Sequence, residues 1–464
     1  MSDIDKVLAA ADKNFEAGID RLFDLVRIPS ISADPAYKAQ CREAAERLNA
    51  DLLSLGFDSS VRDTAGQPMV VAHSAKAASE NAPHVLFYGH YDVQPADPLE
   101  KWSTPPFEPA RKTDAKGVER FYGRGTADDK GQLMTFVEAA RAWIAVAGSL
   151  PIRATFLFEG EEESGSPSLV PFLEANKAEL ACDAAFICDT NMWDAKTPAI
   201  TTRLRGMLKE EITITGPRVD LHSGAYGGPA ANPIKVLAKV LAALHDKNGK
   251  VSIPGFYEGV APLPPAIRKQ WQSLKFSERK FLGDVGLSVP AGETGKSVLE
   301  QIWARPTAEV NGIWGGYAGA GTKTVIPSQA SAKLTFRLVG TQNPAKILKS
   351  LRAFVKERVP KDCKVAFSPA AGGSPASEVD ETSPFIAKSA AALKKEFGRA
   401  PVMMGCGGSI PIVRYFKDIL GMDSILVGFG LDDDAIHSPN EKYDRASFHK
   451  GIRSWVRIMG DLAT

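Results

Sequence analysis

Ile4, Leu8, Ala11, Phe15, Ile19, Leu22 and Val26 recur three or four positions apart, which predicts an amphipathic helix over 4–27 that Ile28-Pro29 stops. A second helix is predicted over 39–55, ending at Leu55-Gly56. Beyond it, short apolar runs alternate with helical ones. P-H-V-L-F-Y (83–88), I-R-A-T-F-L-F (152–158) and D-A-A-F-I-C (183–188) read as strands, and 131–143 and 168–177 as helices. Strands this continuously apolar, spaced by helices, predict an α/β sheet covered on both faces.

The texture changes near residue 206. M-L-K-E-E-I-T-I-T-G (207–216) and S-A-K-L-T-F-R-L-V (331–339) alternate apolar with polar, as half-exposed antiparallel strands do. A Pro/Gly-rich aromatic stretch over 251–292 reads as irregular structure. After about 381 a helix over 384–397, the glycine run G-C-G-G-S and the strand S-I-L-V-G-F (424–429) restore the first pattern. The expectation is an α/β domain built from 1–205 and 381–464, interrupted by a smaller α+β domain over 206–380.

Composition narrows the function. A length of 464 residues suggests two or three domains. Lys plus Arg number 56 against 55 acids, so no basic excess points to nucleic acid or a membrane surface. The five cysteines, at 41, 182, 188, 363 and 406, form no C-x-x-C pair, and their odd count argues against a disulfide framework. The N-terminal stretch is charged and helix-patterned, and no apolar run reaches membrane-spanning length. A cytoplasmic protein is expected.

Candidate chemistry collects at strand ends. His90 follows the first strand in G-H-Y-D-V, with Asp92 two residues on, where it can orient the imidazole; a hydrogen-bonded loop histidine is the plainer alternative. Y-G-R-G-T-A-D-D-K-G (122–131) sets two adjacent aspartates before a helix, where one acid alone is an ordinary N-cap. F-E-G-E-E-E-S-G-S (158–166) carries four glutamates after its strand, which alone reads as a solvated charge run. C-D-T-N-M-W (188–193) and D-D-D-A-I-H-S-P-N-E (432–441) put further acids and a histidine after two more strands. In a mostly parallel sheet such ends line one rim, where ligands bind. Histidine with carboxylates and no thiolate suits Zn²⁺, Mn²⁺ or Co²⁺. Enough ligands are present for a carboxylate-bridged pair of ions roughly 3.5 Å apart. G-x-S-x-G and H-E-x-x-H are absent, and G-Y-A-G-A-G-T-K-T (316–324) lacks the Gly-Lys adjacency of a P-loop.

These motifs, with D-L-H-S-G-A-Y-G-G, G-T-K-T-V-I-P, G-G-S-I-P and H-S-P-N-E-K, occur in an order that resembles the co-catalytic di-zinc metallopeptidase family. That family comprises carnosinase-type dipeptidases, glutamate carboxypeptidases, aminoacylases and desuccinylases, and the cytosolic dipeptidase branch is the most similar. The resemblance covers nearly the whole chain. It implies a mixed, mostly parallel sheet sandwiched by helices, with the inserted α+β domain serving as lid and dimerisation domain. It implies two divalent ions per subunit, zinc first with manganese or cobalt as alternatives, bridged by Asp128. One ion would also be held by His90 and Asp189, the other by Glu163 and His437. Asp92 would support His90, and Glu162 would be the general base that deprotonates the metal-bridging water and protonates the leaving amine. Glu159 and Glu161 carry no implied role and are expected to be solvated or to support the ligands.

His222 would stabilise the oxyanion in the partner subunit of a homodimer, or else cap a helix or turn. Thr324, Arg337 and Ser409 would contact substrate, Arg337 by gripping a carboxylate. Two positions depart from the branch: Ala371 stands where a histidine is usual before G-G-x-P, and Cys406 where an acid is usual before G-G-S-I-P. The implied activity is hydrolysis of dipeptides or small peptides with a free carboxylate. The alternatives are hydrolysis of an N-acyl amino acid, and a non-catalytic binding protein of the same fold.

Overall fold

The computed structural model describes residues 3–75, 81–408 and 410–464. It divides into two compact units: Met1–Thr202 with Val379–Met404 and Tyr415–Thr464, and Arg203–Glu378 with Gly405–Arg414.

Among the described residues the main sheet has nine strands, of which seven position the site: β1 Asp58–Arg62, β2 Met69–His73, β3 His84–His90, β4 Arg153–Glu159, β5 Ala184–Ile187, β6 Ala199–Leu204 and β7 Asp423–Leu426. Their order is β1-β2-β4-β3-β5-β7-β6. The four inner strands β4, β3, β5 and β7 are mutually parallel, while β1, β2 and β6 run antiparallel to their neighbours. Every residue of β5 is buried, and so are all but the first of β3 and β4, so both faces are covered, as continuous apolar strands require. Phe87 shows how strands and helices lock together. Its ring stacks 5.2 Å from Phe156 and 5.7 Å from Phe186, and meets Trp455 edge-on at 6.0 Å. Trp455 lies on the helix Arg445–Leu462 and packs 4.5 Å from Phe136 of the helix Lys130–Ala147. These rings are fully buried and fix the inner strands against the helices that flank them.

The helix expected over 4–27 is interrupted. It forms as Asp3–Lys13 and Phe15–Val26, parted at Asn14, whose side chain donates to Glu138 Oε2 at 3.4 Å.

The second unit has an antiparallel sheet in the order Thr307–Gly315, Gln329–Leu338, Gly206–Thr215, Lys364–Phe367. Burial alternates along Gly206–Thr215, as its sequence predicts. Leu208, Ile212, Ile214, Leu334 and Phe336 face a core closed by the helices Pro233–Ala242 and Pro344–Arg358. The stretch 251–292 is more regular than its composition suggests. It contains the helices Pro265–Ser273 and Glu278–Gly283, started by a proline in the first turn and by a Ser277 cap. Helices this short complete too few turns to show a period among prolines and glycines.

Candidate metal centre

Parallel order brings the carboxyl ends of the inner strands to one rim. His90 ends β3 and lies in register with Glu159, the last residue of β4. Asp189 lies two residues past the end of β5, and His437 on the segment that follows β7. The neighbouring Gly89 has a steric reason: a Cβ there would stand 2.8 Å from Leu133 Cβ and 2.9 Å from Asp129 Oδ2. Without it, Asp129 approaches closely enough to accept the His90 N–H at 3.1 Å.

Asp128 is the centre of the arrangement. Its Oδ1 lies 3.1 Å from His90 Nε2, and its Oδ2 lies 2.9 Å from His437 Nε2. His437 Nε2 is also 3.3 Å from Glu163 Oε2, and His90 Nε2 is 3.9 Å from Asp189 Oδ2. Two sets of donors result, His90–Asp128–Asp189 and Asp128–Glu163–His437, each with its ligand atoms within 4.8 Å of one another. They share one carboxylate.

Asp92, wholly buried, organises the rest. Its Oδ1 accepts the Glu162 N–H at 3.2 Å, while its Oδ2 accepts the Glu163 N–H at 3.0 Å and the Ser32 hydroxyl at 2.6 Å. Its Oδ1 also lies 3.4 Å from His90 Nδ1. The Asp92 backbone carbonyl, 3.1 Å from His90 Nδ1, sets the imidazole plane, and the carboxylate of the same residue sets the turn Glu162–Ser164. Gln94 Nε2 donates to Glu163 Oε2 at 2.8 Å and limits how that side chain turns.

Electrostatics show what the cluster lacks. Burial pushes the Asp189 carboxyl well above the carboxylate range, and the charges of Asp128 and Asp129 push it further. Burial raises Glu162 too; His90 pulls it down, but Glu163, Asp92 and Asp128 push it up. His437 is raised to about 10 by its hydrogen bonds to Asp128 and Glu163. Crowded carboxylates facing two imidazoles form a pocket of oxygen and nitrogen donors, which suits divalent cations. Imidazole ligates in its neutral form, so metal binding here releases protons.

Similarity to known proteins agrees with this chemistry. The profile of Peptidase family M20/M25/M40 matches residues 86–461. The chain belongs to that family. It is 33% identical to the Cys-Gly metallodipeptidase dug1 of Schizosaccharomyces pombe, over 99% of this chain and 98% of that protein. It is 28% identical to the Beta-Ala-His dipeptidase of Homo sapiens, over 95% of this chain and 85% of that one. Among solved structures, human carnosine dipeptidase 1 superposes with a TM-score of 0.79 at 27% identity, covering 100% of this chain and 99% of that one. The chain is thus a hydrolase, a metallopeptidase with dipeptidases among its relatives.

The first unit of this M20 peptidase gathers His90, Asp92, Asp128, Glu162, Glu163, Asp189 and His437. His222, Thr324 and Arg337 belong to the second unit, and Ser409 lies outside the described residues. His222 is exposed and caps the short helix Ser223–Tyr226, its Nδ1 accepting the Gly224 N–H at 3.0 Å. Thr324 accepts the Ser223 N–H at 3.0 Å through its carbonyl, and Arg337 lies on the strand Gln329–Leu338 opposite Thr307.

Of the two expectations for Glu159 and Glu161, solvated or supporting the ligands, the solvated one is corrected: both are buried. Glu161 accepts the N–H groups of Gln67 at 3.0 Å and Ser168 at 3.1 Å, so it braces the loop. Glu159 accepts the hydroxyls of Tyr88 at 2.8 Å and Ser166 at 2.6 Å, and burial pushes its carboxyl up to about 8. Gln94 did not stand out in the sequence, and Asp129 did so only as one of the adjacent aspartates. Gln94 sits at the i+2 position after Asp92 in D-V-Q, the alternation that already paired His90 with Asp92.

Proposed function

We propose that this M20 peptidase cleaves the amide bond of dipeptides or small peptides with a free carboxylate, using two divalent ions, zinc first, and Glu162 as the proton carrier. The observation that carries the reading is the pair of donor sets sharing Asp128, with Glu162 fixed beside them by Asp92. His90 and Asp189 would hold one ion, Glu163 and His437 the other, and Asp128 both. When bound, the ions supply an activated water and polarise the scissile carbonyl. Glu162 accepts the proton of the attacking water and passes it to the leaving amine, and the upward push on its carboxyl suits it to accept. Asp92 holds His90 and the Glu162 turn in place. Thr324, Arg337 and Ser409 take the substrate, Arg337 at its carboxylate.

The preference for dipeptides rests on the activities for which the relatives are named, a Cys-Gly metallodipeptidase and a Beta-Ala-His dipeptidase. Its test is a panel of free-amine dipeptides against N-acetyl and N-succinyl amino acids. Higher kcat/KM on the dipeptides is expected; turnover of the N-acyl compounds alone would overturn the substrate assignment.

We further infer a cytoplasmic homodimer whose second unit acts as lid and dimerisation domain, with His222 stabilising the oxyanion in the partner subunit's site. Supporting this, Thr307–Gly315 is an edge strand of the second unit's sheet that exposes Val310, Ile313 and Trp314, an apolar edge apt for a second copy. A His222→Ala chain mixed with an Asp128→Ala chain is then expected to regain part of the activity that each lacks alone. Mixtures as inactive as their components would remove His222 from the cross-subunit role.

A further inference from the structure

Glu441 ends the H-S-P-N-E stretch four residues after His437, and it belongs to neither donor set. It is completely buried, yet it is surrounded by donors. Its Oε1 accepts the backbone N–H groups of Gly125 at 3.0 Å, Ala127 at 2.9 Å and Asp128 at 3.1 Å. Its Oε2 accepts the Gly125 N–H at 3.0 Å and Arg124 Nη1 at 2.7 Å. Arg124 is itself buried, held by the Pro95 carbonyl at 3.3 Å and packed 5.4 Å from the Trp102 ring. Gly125 has φ +87, and a Cβ there would stand 2.7 Å from Val93 Cγ1, so the loop turns its amides inward only with glycine at this position. The backbone joins in as well: the Gly123 N–H donates to the Glu441 carbonyl at 3.1 Å.

One carboxylate thus binds the loop that carries Asp128 to the segment that carries His437. Asp128 and His437 are distant in sequence, and their Oδ2–Nε2 distance of 2.9 Å depends on how these two segments meet. We propose that Glu441 is a positioning residue that holds the two donor sets in register, so that one carboxylate, Asp128, serves both ions. The proposal rests on reading Asp128 and His437 as metal ligands. A carboxylate alone fits the environment, because every group facing it donates. Glutamine keeps the shape but turns an NH₂ onto an N–H or a guanidinium, which leaves buried donors opposed. Groups that orient metal ligands typically contribute about 10–100-fold to metal affinity.

The test uses the full chain, freed of metal by chelation and titrated with Co²⁺ alone, followed by calorimetry and by the visible absorption of bound Co²⁺. The parent is expected to take up two ions. Glu441→Gln is expected to bind the second ion about 10–100-fold more weakly, with an altered Co²⁺ spectrum, while its metal-free melting transition stays cooperative. A Glu441→Gln chain with parental stoichiometry, affinities and spectrum would overturn the proposal. Should that variant fail to fold, Arg124→Lys, which keeps the charge and loses the fork, takes its place. Weaker binding of the second ion with a changed spectrum supports the proposal, and parental binding overturns it. Failure of the parent itself to bind Co²⁺ would instead refute the ligand assignment underneath, a result visible without any variant.

Discussion

Glu162→Gln is expected to lower kcat by about 10²–10⁴-fold while the chain retains its full metal content. The side chain keeps its size and its backbone N–H keeps its bond to Asp92 Oδ1 at 3.2 Å, so the turn Glu162–Ser164 has no reason to move. The carboxamide cannot take up a proton, and that is the one capacity removed. The pH profile separates this from a general disturbance. A base works only when deprotonated, so parental activity falls as pH drops through the Glu162 pKa. Burial and the nearby Glu163, Asp92 and Asp128 charges hold that pKa above the usual glutamate range. The residual activity of the glutamine variant is expected to lack this acid limb. Near-parental turnover with metal retained would remove Glu162 from the proton-carrying role.

Asp128→Asn is expected to abolish activity and to deplete both ions, where Glu163→Gln or Asp189→Asn deplete chiefly one. The reason is the division of its two oxygens, Oδ1 toward His90 at 3.1 Å and Oδ2 toward His437 at 2.9 Å. A carboxamide offers one oxygen and one NH₂, so it can serve at most one side. A metal that binds only the folded protein stabilises it in proportion to the logarithm of one plus the ratio of free metal to Kd, so added Zn²⁺ raises the parental melting temperature. That rise is expected to shrink or vanish in Asp128→Asn. An asparagine variant that retains both ions and the full thermal gain would show that Asp128 is not shared.

Much of this was legible because strand ends carry their chemistry in sequence. The apolar runs ending at Tyr88, Phe158 and Cys188 mark β3, β4 and β5, and parallel order then brings the residues just beyond them to one rim. Chemistry made by backbone escaped. Glu441 is matched to the amides of Gly125, Ala127 and Asp128, and amides have no letter in a sequence. Glu159 and Glu161 look solvated beside Glu162 and Glu163, because charge run and buried network share one composition. Only the ladder position of Glu159 opposite His90, and the Gln67 and Ser168 amides around Glu161, set them apart. Asp128 and Asp129 are equally adjacent acids in the sequence. The structure separates them by direction, Asp128 toward the two imidazole Nε2 atoms and Asp129 toward the His90 N–H and the Cys188 thiol.

The central claim is that two ions share Asp128, and metal content measures it most directly. Elemental analysis of the gently purified full chain, after reconstitution with Zn²⁺ and removal of the excess, is predicted to find two ions per chain, falling well below one in Asp128→Asn. Fewer than one tightly held divalent ion per parental chain would contradict the account.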